Sequence, residues 1–184
     1  MSHDHADACF GLDDLRLLLP ASQLILRSLT LRGTFAPAQD HVPVYTSPET
    51  YTSISNMFPY MVDSKKATGG GDIPSFLWYP FSTSETFNIP SCGGIEVIPL
   101  PVEHGMYFSE EPPKPYMCMG FRIGELSYIS DANSVPEETK RKIEGSRVLI
   151  LDALRETPHG SHFSFQEVVP PPQKSRSNCR RRIL

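Results

Sequence analysis

The sequence has no uninterrupted apolar run of about 18 residues, the length at which a helix crosses a bilayer, so no transmembrane helix is expected. No charged stretch followed by an apolar one precedes residue 3, so no secretory leader is expected either. Cysteine is scarce: Cys9, Cys92, Cys118 and Cys179 stand far apart with no paired spacing. That pattern argues against a disulfide framework or a zinc ribbon, and for free thiols in a reducing, cytoplasmic compartment. The body of the chain carries no Gly-rich phosphate loop and no arginine cluster, and it lacks the basic residues interleaved with aromatics that single-stranded nucleic-acid binders use.

Proline, by contrast, is abundant at 18 residues and forecasts many loops and turns. The 184 residues suffice for one domain with a real core. Net charge is −4 but uneven: residues 170–184 hold Lys174, Arg176, Arg180, Arg181 and Arg182 and no acid, leaving −9 on the rest. We expect a domain over 1–169 and a disordered basic tail over 170–184. The triplet Arg180–Arg182 is weak evidence for nuclear targeting. An acidic body argues against nucleic acid as a partner. A small-molecule substrate and a homodimer are compatible with the composition.

The most informative stretch is Met1 to Arg16, MSHDHADACFGLDDLR, with His3, His5 and Asp7 at alternate positions. Alternate residues of an extended segment point the same way. Two imidazoles and a carboxylate suit zinc, manganese or iron better than calcium or magnesium. The competing interpretation is a frayed His-rich end. Against it, Gly11 to Arg16 opens an apolar segment with acids in its first turn, as a helix start would. Pro20 ends that helix, and an irregular stretch runs to residue 41.

Further along, His41–Tyr45 reads as a short strand, and Ser47-Pro48 as N-cap and first position of a helix reaching about Met57. Phe58 to Gly71 reads as a flexible turn closed by three glycines. Strand candidates follow at residues 75–81, 85–89 and 94–100, the last of these buried. Residues 116–131 read as a hairpin turning at Gly124-Glu125. Val135–Gly145 is a surface helix with acids first and bases last. Ser146–Asp152 is the clearest buried strand, four aliphatics running into an acid. A last helix starts at Ser164.

The stretch His3-Asp4-His5-Ala6-Asp7-Ala8, followed by Gly11-Leu12 and a helix, resembles the HxHxDH motif of the metallo-β-lactamase-fold hydrolases. Its wording, HADACFGLDDLR, is similar to the subgroup of the phosphonate-pathway cyclic-phosphate phosphodiesterase and its eukaryotic relatives. One departure is plain: Ala8 replaces the last motif histidine. The resemblance implies an α/β fold, the four-layer αβ/βα sandwich. It implies that His104, in Pro99–Gly105, is a metal ligand just past its strand; alone, a histidine before a glycine would be a turn residue. It implies that Asp131, in Tyr128-Ile129-Ser130-Asp131, bridges two metals held roughly 3.5–4 Å apart; the alternative is an N-cap for the next helix. Asp152 takes a supporting position that orients a histidine. His162 would hold the phosphate or protonate the leaving oxygen, and His159 is equally suited to a structural cap.

The implied activity is hydrolysis of a phosphodiester by hydroxide on one or two Zn2+ or Mn2+ ions held by His3, His5, Asp7, His104 and Asp131, with Asp7 and His162 in catalytic roles. Relatives have strands before the motif and a further strand with a final metal histidine beyond residue 169. The resemblance thus covers roughly residues 2–169, incomplete at both ends, with an unpaired sheet edge at the N-terminal side. Ala8 and the missing final histidine leave an alternative open: a catalytically impaired fragment, or an interaction protein with a vestigial metal site.

Overall fold

The structure, a computed structural model, describes residues 1–18, 41–69, 73 and 75–169, with backbone alone at 16–18. The expected irregular stretch before residue 41, the glycines at 70–71, Cys179 and the basic tail lie outside the described residues. The chain is of mixed α/β class, with two sheets and short helices.

A short helix α1 (Ala6–Cys9) runs into a 3-10 segment, Phe10–Leu18. The expected helix at Gly11–Arg16 is therefore tighter and preceded by an α-turn. Gly11 and the pair Asp13-Asp14 are poor helix-interior residues, which fits the change of pitch. Strand β1 (Val42–Thr46) leads to helix α2 (Pro48–Met57). The Ser47 side chain accepts a hydrogen bond from the Thr50 amide at 3.2 Å, and Pro48 fills the first helical position, as the sequence predicts. The expected flexible turn at 58–71 instead begins with helix α3 (Pro59–Val62) and a 3-10 turn, Ser64–Lys66. Phe58, Met61 and Val62 bury against Cys9, Leu12 and Ile54, and this packing orders the segment. Strand β2 (Phe76–Pro80) pairs parallel with β1, Val42 opposite Phe76, and Trp78 Nε1 donates to the Met61 carbonyl at 3.0 Å.

The second sheet has the order β3-β4-β5-β6-β7, from β3 (Phe87–Ile89), β4 (Ile95–Tyr107), β5 (Lys114–Ile123), β6 (Leu126–Ile129) and β7 (Val148–Leu151). All neighbours are antiparallel except β6 and β7, which are joined through helix α4 (Glu137–Ile143) and run parallel, as a crossover requires. A last helix, α5 (Phe165–Val168), opens on a capping box between Ser164 and Glu167.

Two expectations are corrected here. Strand β4 does not stop at Leu100 but continues to Tyr107, so His104 lies inside the strand. It sits at a register shift between Glu103 and Met106, where Gly105 takes φ 91°. Strand β7 is not buried: Val148, Leu149 and Ile150 are exposed, because β7 is the last strand of the sheet order and no described element covers these side chains. An aliphatic run reports burial only where both faces of the sheet are covered.

Two apolar clusters flank the N-terminal segment. Leu100, Val102, Cys118, Ile129 and Ala132 form one; Cys9, Leu12, Ile54 and Met61 form the other. Residues 1–5 are pinned between the sheets: the Met1 amine donates to the β1 carbonyl of Tyr45 at 2.7 Å, and the Met119 amide of β5 donates to the Ser2 carbonyl at 2.9 Å. A frayed end would make neither contact.

Candidate metal centre

The pinned segment carries His3 and His5 to the seam between the sheets. Backbone at His5 is extended (φ −67°, ψ 156°), and α1 begins at Ala6. The alternation expected over His3, His5 and Asp7 therefore holds for the two histidines and is broken at Asp7, an exposed residue in the first turn of α1. His104 enters from β4, and Asp131 from the loop after β6. His162 enters from the 158–163 loop, which is anchored where the Phe163 amide donates to the Ala132 carbonyl at 2.7 Å.

Three overlapping groups of ligand atoms result, each with its members within 4.8 Å of one another: His3, His5 and His104; His3, Cys118 and Asp131; His104, Asp131 and His162. The ring centroids of His3, His5 and His104 are 4.6 to 5.2 Å apart. His3 is 1% exposed. Its Nδ1 lies 3.0 Å from Ser2 Oγ and 3.6 Å from Cys118 Sγ, while its Nε2 is buried with no hydrogen-bond partner. A buried, unpaired imidazole nitrogen beside two other imidazoles is the donor set a borderline-soft divalent cation completes. These residues fit such an ion.

The supporting contacts fix the tautomers. His104 Nδ1 lies 2.6 Å from the Ser161 carbonyl and must donate to it, so Nε2 carries the lone pair, which faces His5 Nδ1 at 3.2 Å, within hydrogen-bond reach. His162 Nδ1 donates to Asp152 Oδ2 at 2.6 Å, and Asp152 also accepts from the Ala132 amide at 3.3 Å. Asp152 thus orients a histidine. Burial lowers the pKa of both His3 and His104, favouring the neutral imidazoles that bind metal. Burial and the nearby Asp131 push the Cys118 thiol up to about 12, so without an ion it is a neutral neighbour of His3.

Residues of β5 that the spacing argument does not single out also shape the site. Tyr116 stacks on His5 with centroids 4.8 Å apart and planes 9° from parallel, and its hydroxyl donates to the Asp4 carboxylate. Burial works against the Asp4 carboxylate, but hydrogen bonds from Ser53 and Tyr116 outweigh it and lower its pKa. Burial and the bond to Asp4 drive the Tyr116 hydroxyl far above its usual range. Tyr116, Cys118 and Gly120 share one face of β5 by the period of two, the signal that could have flagged them. His159 accepts from the Ser161 amide at 3.3 Å, its ring 5.3 Å from that of His162.

An arc of imidazole and carboxylate side chains that could hold a divalent ion lies at the seam of two sheets in a domain of mixed α/β class. The chain belongs to the beta-lactamase superfamily: the model for the beta-lactamase superfamily domain matches residues 1–171. Among solved structures, the crystal structure of a new diphosphatase from the PhnP family superposes with a TM-score of 0.62 at 26% identity, over 88% of this chain and 49% of that one. The 1.98 Å structure of Zn2+-bound PqqB from Methylobacterium extorquens superposes with a TM-score of 0.41 at 18% identity, over 64% of this chain and 40% of that one. The chain spans about half the length of the diphosphatase it matches. No curated protein matches it. Among the described residues no helix is long and apolar enough to cross a membrane.

Proposed function

We propose that this chain is a metal-dependent hydrolase that cleaves small phosphodiesters, related to the PhnP subgroup and working with zinc or manganese. The observation that carries this reading is the cluster His3, His5 and His104 with the unpaired, buried Nε2 of His3. Similarity over most of the chain to a PhnP-family diphosphatase favours phosphorus as the reacting centre. A bound divalent ion would lower the pKa of water and draw charge from a phosphoryl oxygen. His3, His5 and His104 would hold the ion, and Asp131, a member of two ligand groups, would serve a second one.

The remaining work falls to the 152–163 region. In hydrolysis a water oxygen bonds to phosphorus, the bond from phosphorus to one ester oxygen breaks, and that oxygen needs a proton. His162 is oriented for this transfer, because Asp152 fixes Nδ1, stabilises the imidazolium and leaves the other ring nitrogen free. The neighbouring Asp131 Oδ1, 3.9 Å from Nδ1, adds to that stabilisation. Replacing His162 with Asn is expected to lower turnover of ethyl 4-nitrophenyl phosphate by about 10² or more while leaving the zinc content of the purified chain unchanged. A parallel loss of zinc would assign His162 to the ligand set instead.

A second reading is a metal-holding domain without catalysis. It is favoured by exposed Asp7, which stands in none of the ligand groups, and by Ala8 in the last motif position. Zinc bound at stoichiometry with no turnover of any phosphodiester would select it.

A further inference from the structure

Cys118 lies on β5, fully buried in the apolar cluster of Leu100, Val102, Ile129 and Ala132. A free cysteine in such a place ordinarily acts as a small apolar side chain. This one has polar company that an alkyl group would not keep. Its sulfur stands 3.6 Å from His3 Nδ1, and sulfur, a His3 ring nitrogen and an Asp131 oxygen all lie within 4.8 Å of one another. In the metal-free protein the His3–Cys118 contact serves as a weak hydrogen bond. The same spacing is the edge of a coordination tetrahedron: zinc with sulfur at about 2.3 Å and nitrogen at about 2.0 Å sets those donors about 3.5 Å apart. The buried Nε2 of His3, which has no partner, is an independent sign that this ring is placed for metal.

We propose that Cys118 is a metal ligand, and that His3, Cys118 and Asp131 form a second seat for a divalent ion beside the one made with His5 and His104. The inference rests on the reading of this cluster as a metal centre and gives its second ion a sulfur donor. The supply of ligands points the same way. Asp7 is exposed on α1 and stands in none of the ligand groups, Ala8 offers no imidazole, and His162 is engaged through Nδ1 by Asp152. Among the described residues, thiol, imidazole and carboxylate then make a three-donor set that leaves a fourth position for water. As the sulfur–metal bond forms, the thiol proton passes to solvent, and Nδ1 exchanges its contact with Ser2 Oγ, at 3.0 Å, for the ion. With both seats filled, His3 binds one ion through each ring nitrogen and releases its ring proton as well. A thiolate in the set favours zinc over manganese, whose preferred donors are oxygens.

The test is titration of the metal-free 184-residue chain with cobalt(II), followed by near-ultraviolet absorption, where a thiolate on cobalt gives a charge-transfer band that imidazole and carboxylate ligands do not. The parent chain is expected to show the band, and Cys118→Ser to lose it together with one bound ion. A chain carrying Cys9→Ala, Cys92→Ser and Cys179→Ser, in which Cys118 is the only thiol, is expected to keep it. Cobalt bound to the parent without the band, a band that survives Cys118→Ser, or a band lost from the single-thiol chain overturns the second seat. If Cys118→Ser fails to fold, the single-thiol chain decides: a band kept supports the seat and a band lost overturns it. Turnover of ethyl 4-nitrophenyl phosphate by the metal-loaded parent would still leave the hydrolase reading standing. No cobalt in the parent chain overturns both.

Discussion

His3 illustrates how a ligand atom differs from a core atom. An imidazole nitrogen left unpaired in the interior costs about 1–3 kcal/mol, and the fold tolerates that cost at Nε2. In metal-free protein, His3→Leu is therefore expected to be neutral or stabilising by up to about 2 kcal/mol, while the same substitution abolishes any stabilisation by zinc. Thermal melts of both variants with and without zinc measure this, and a large loss of metal-free stability would make His3 a structural histidine. At Tyr116, replacement by Phe keeps the stack on His5 and removes the donor to Asp4. We expect a loss of about 1–3 kcal/mol in urea unfolding and weaker zinc binding; if neither changes, the Tyr116–Asp4 bond does not position the loop. The convergence of His3 and His5 followed from the alternation their spacing predicts, an alternation that fails at Asp7. Tyr116 and Cys118 were not legible in this way, because their partners lie more than a hundred positions away and nothing local marks the pairing.

Among the elements, those with a local chemical marker were read well. Ser47-Pro48 set the start of α2, and Gly124 set the β5–β6 turn. Elements decided by packing were not: α3 has four residues and is ordered by the cluster around Ile54, and β4 runs on past Leu100 through pairing with β5. The aliphatic run of β7 suggested burial that the sheet order does not provide. Gly120 shows how tightly the sheet packs where it supports the site. A Cβ there would stand 2.7 Å from Ile129 Cγ1 and 2.8 Å from the Tyr128 carbonyl oxygen. Gly120→Ala should therefore cost about 1–3 kcal/mol in equilibrium unfolding, far more than Gly160→Ala, whose Cβ meets nothing within 4 Å. Equal effects would mean that β5 and β6 relax apart freely.

For the molecule as a whole, the N-terminal segment ties two sheets and two apolar clusters to one cluster of ligands. An ion held there by β4, the β6–α4 loop and residues 3–5 links elements distant in sequence, so binding should stabilise the whole domain. Zinc at a hundred times its dissociation constant contributes about 2.7 kcal/mol, a rise in Tm of roughly 5–10 °C for a domain of this size. The same rise should vanish with a chelator. The α/β class and the family were legible because one short motif and a few strand ends carry them. The path by which residues 1–5 reach both sheets was not, because it rests on backbone hydrogen bonds that any sequence could make.

The most direct test of the metal centre is elemental mass spectrometry of the purified chain beside its His3→Ala and His104→Ala variants, each exposed to zinc and then desalted. The arrangement of His3, His5, His104 and Asp131 predicts one or two equivalents in the parent chain and a loss of at least one in each variant. No zinc in the parent, or the same zinc content in all three proteins, would contradict the assignment of this cluster as a metal site.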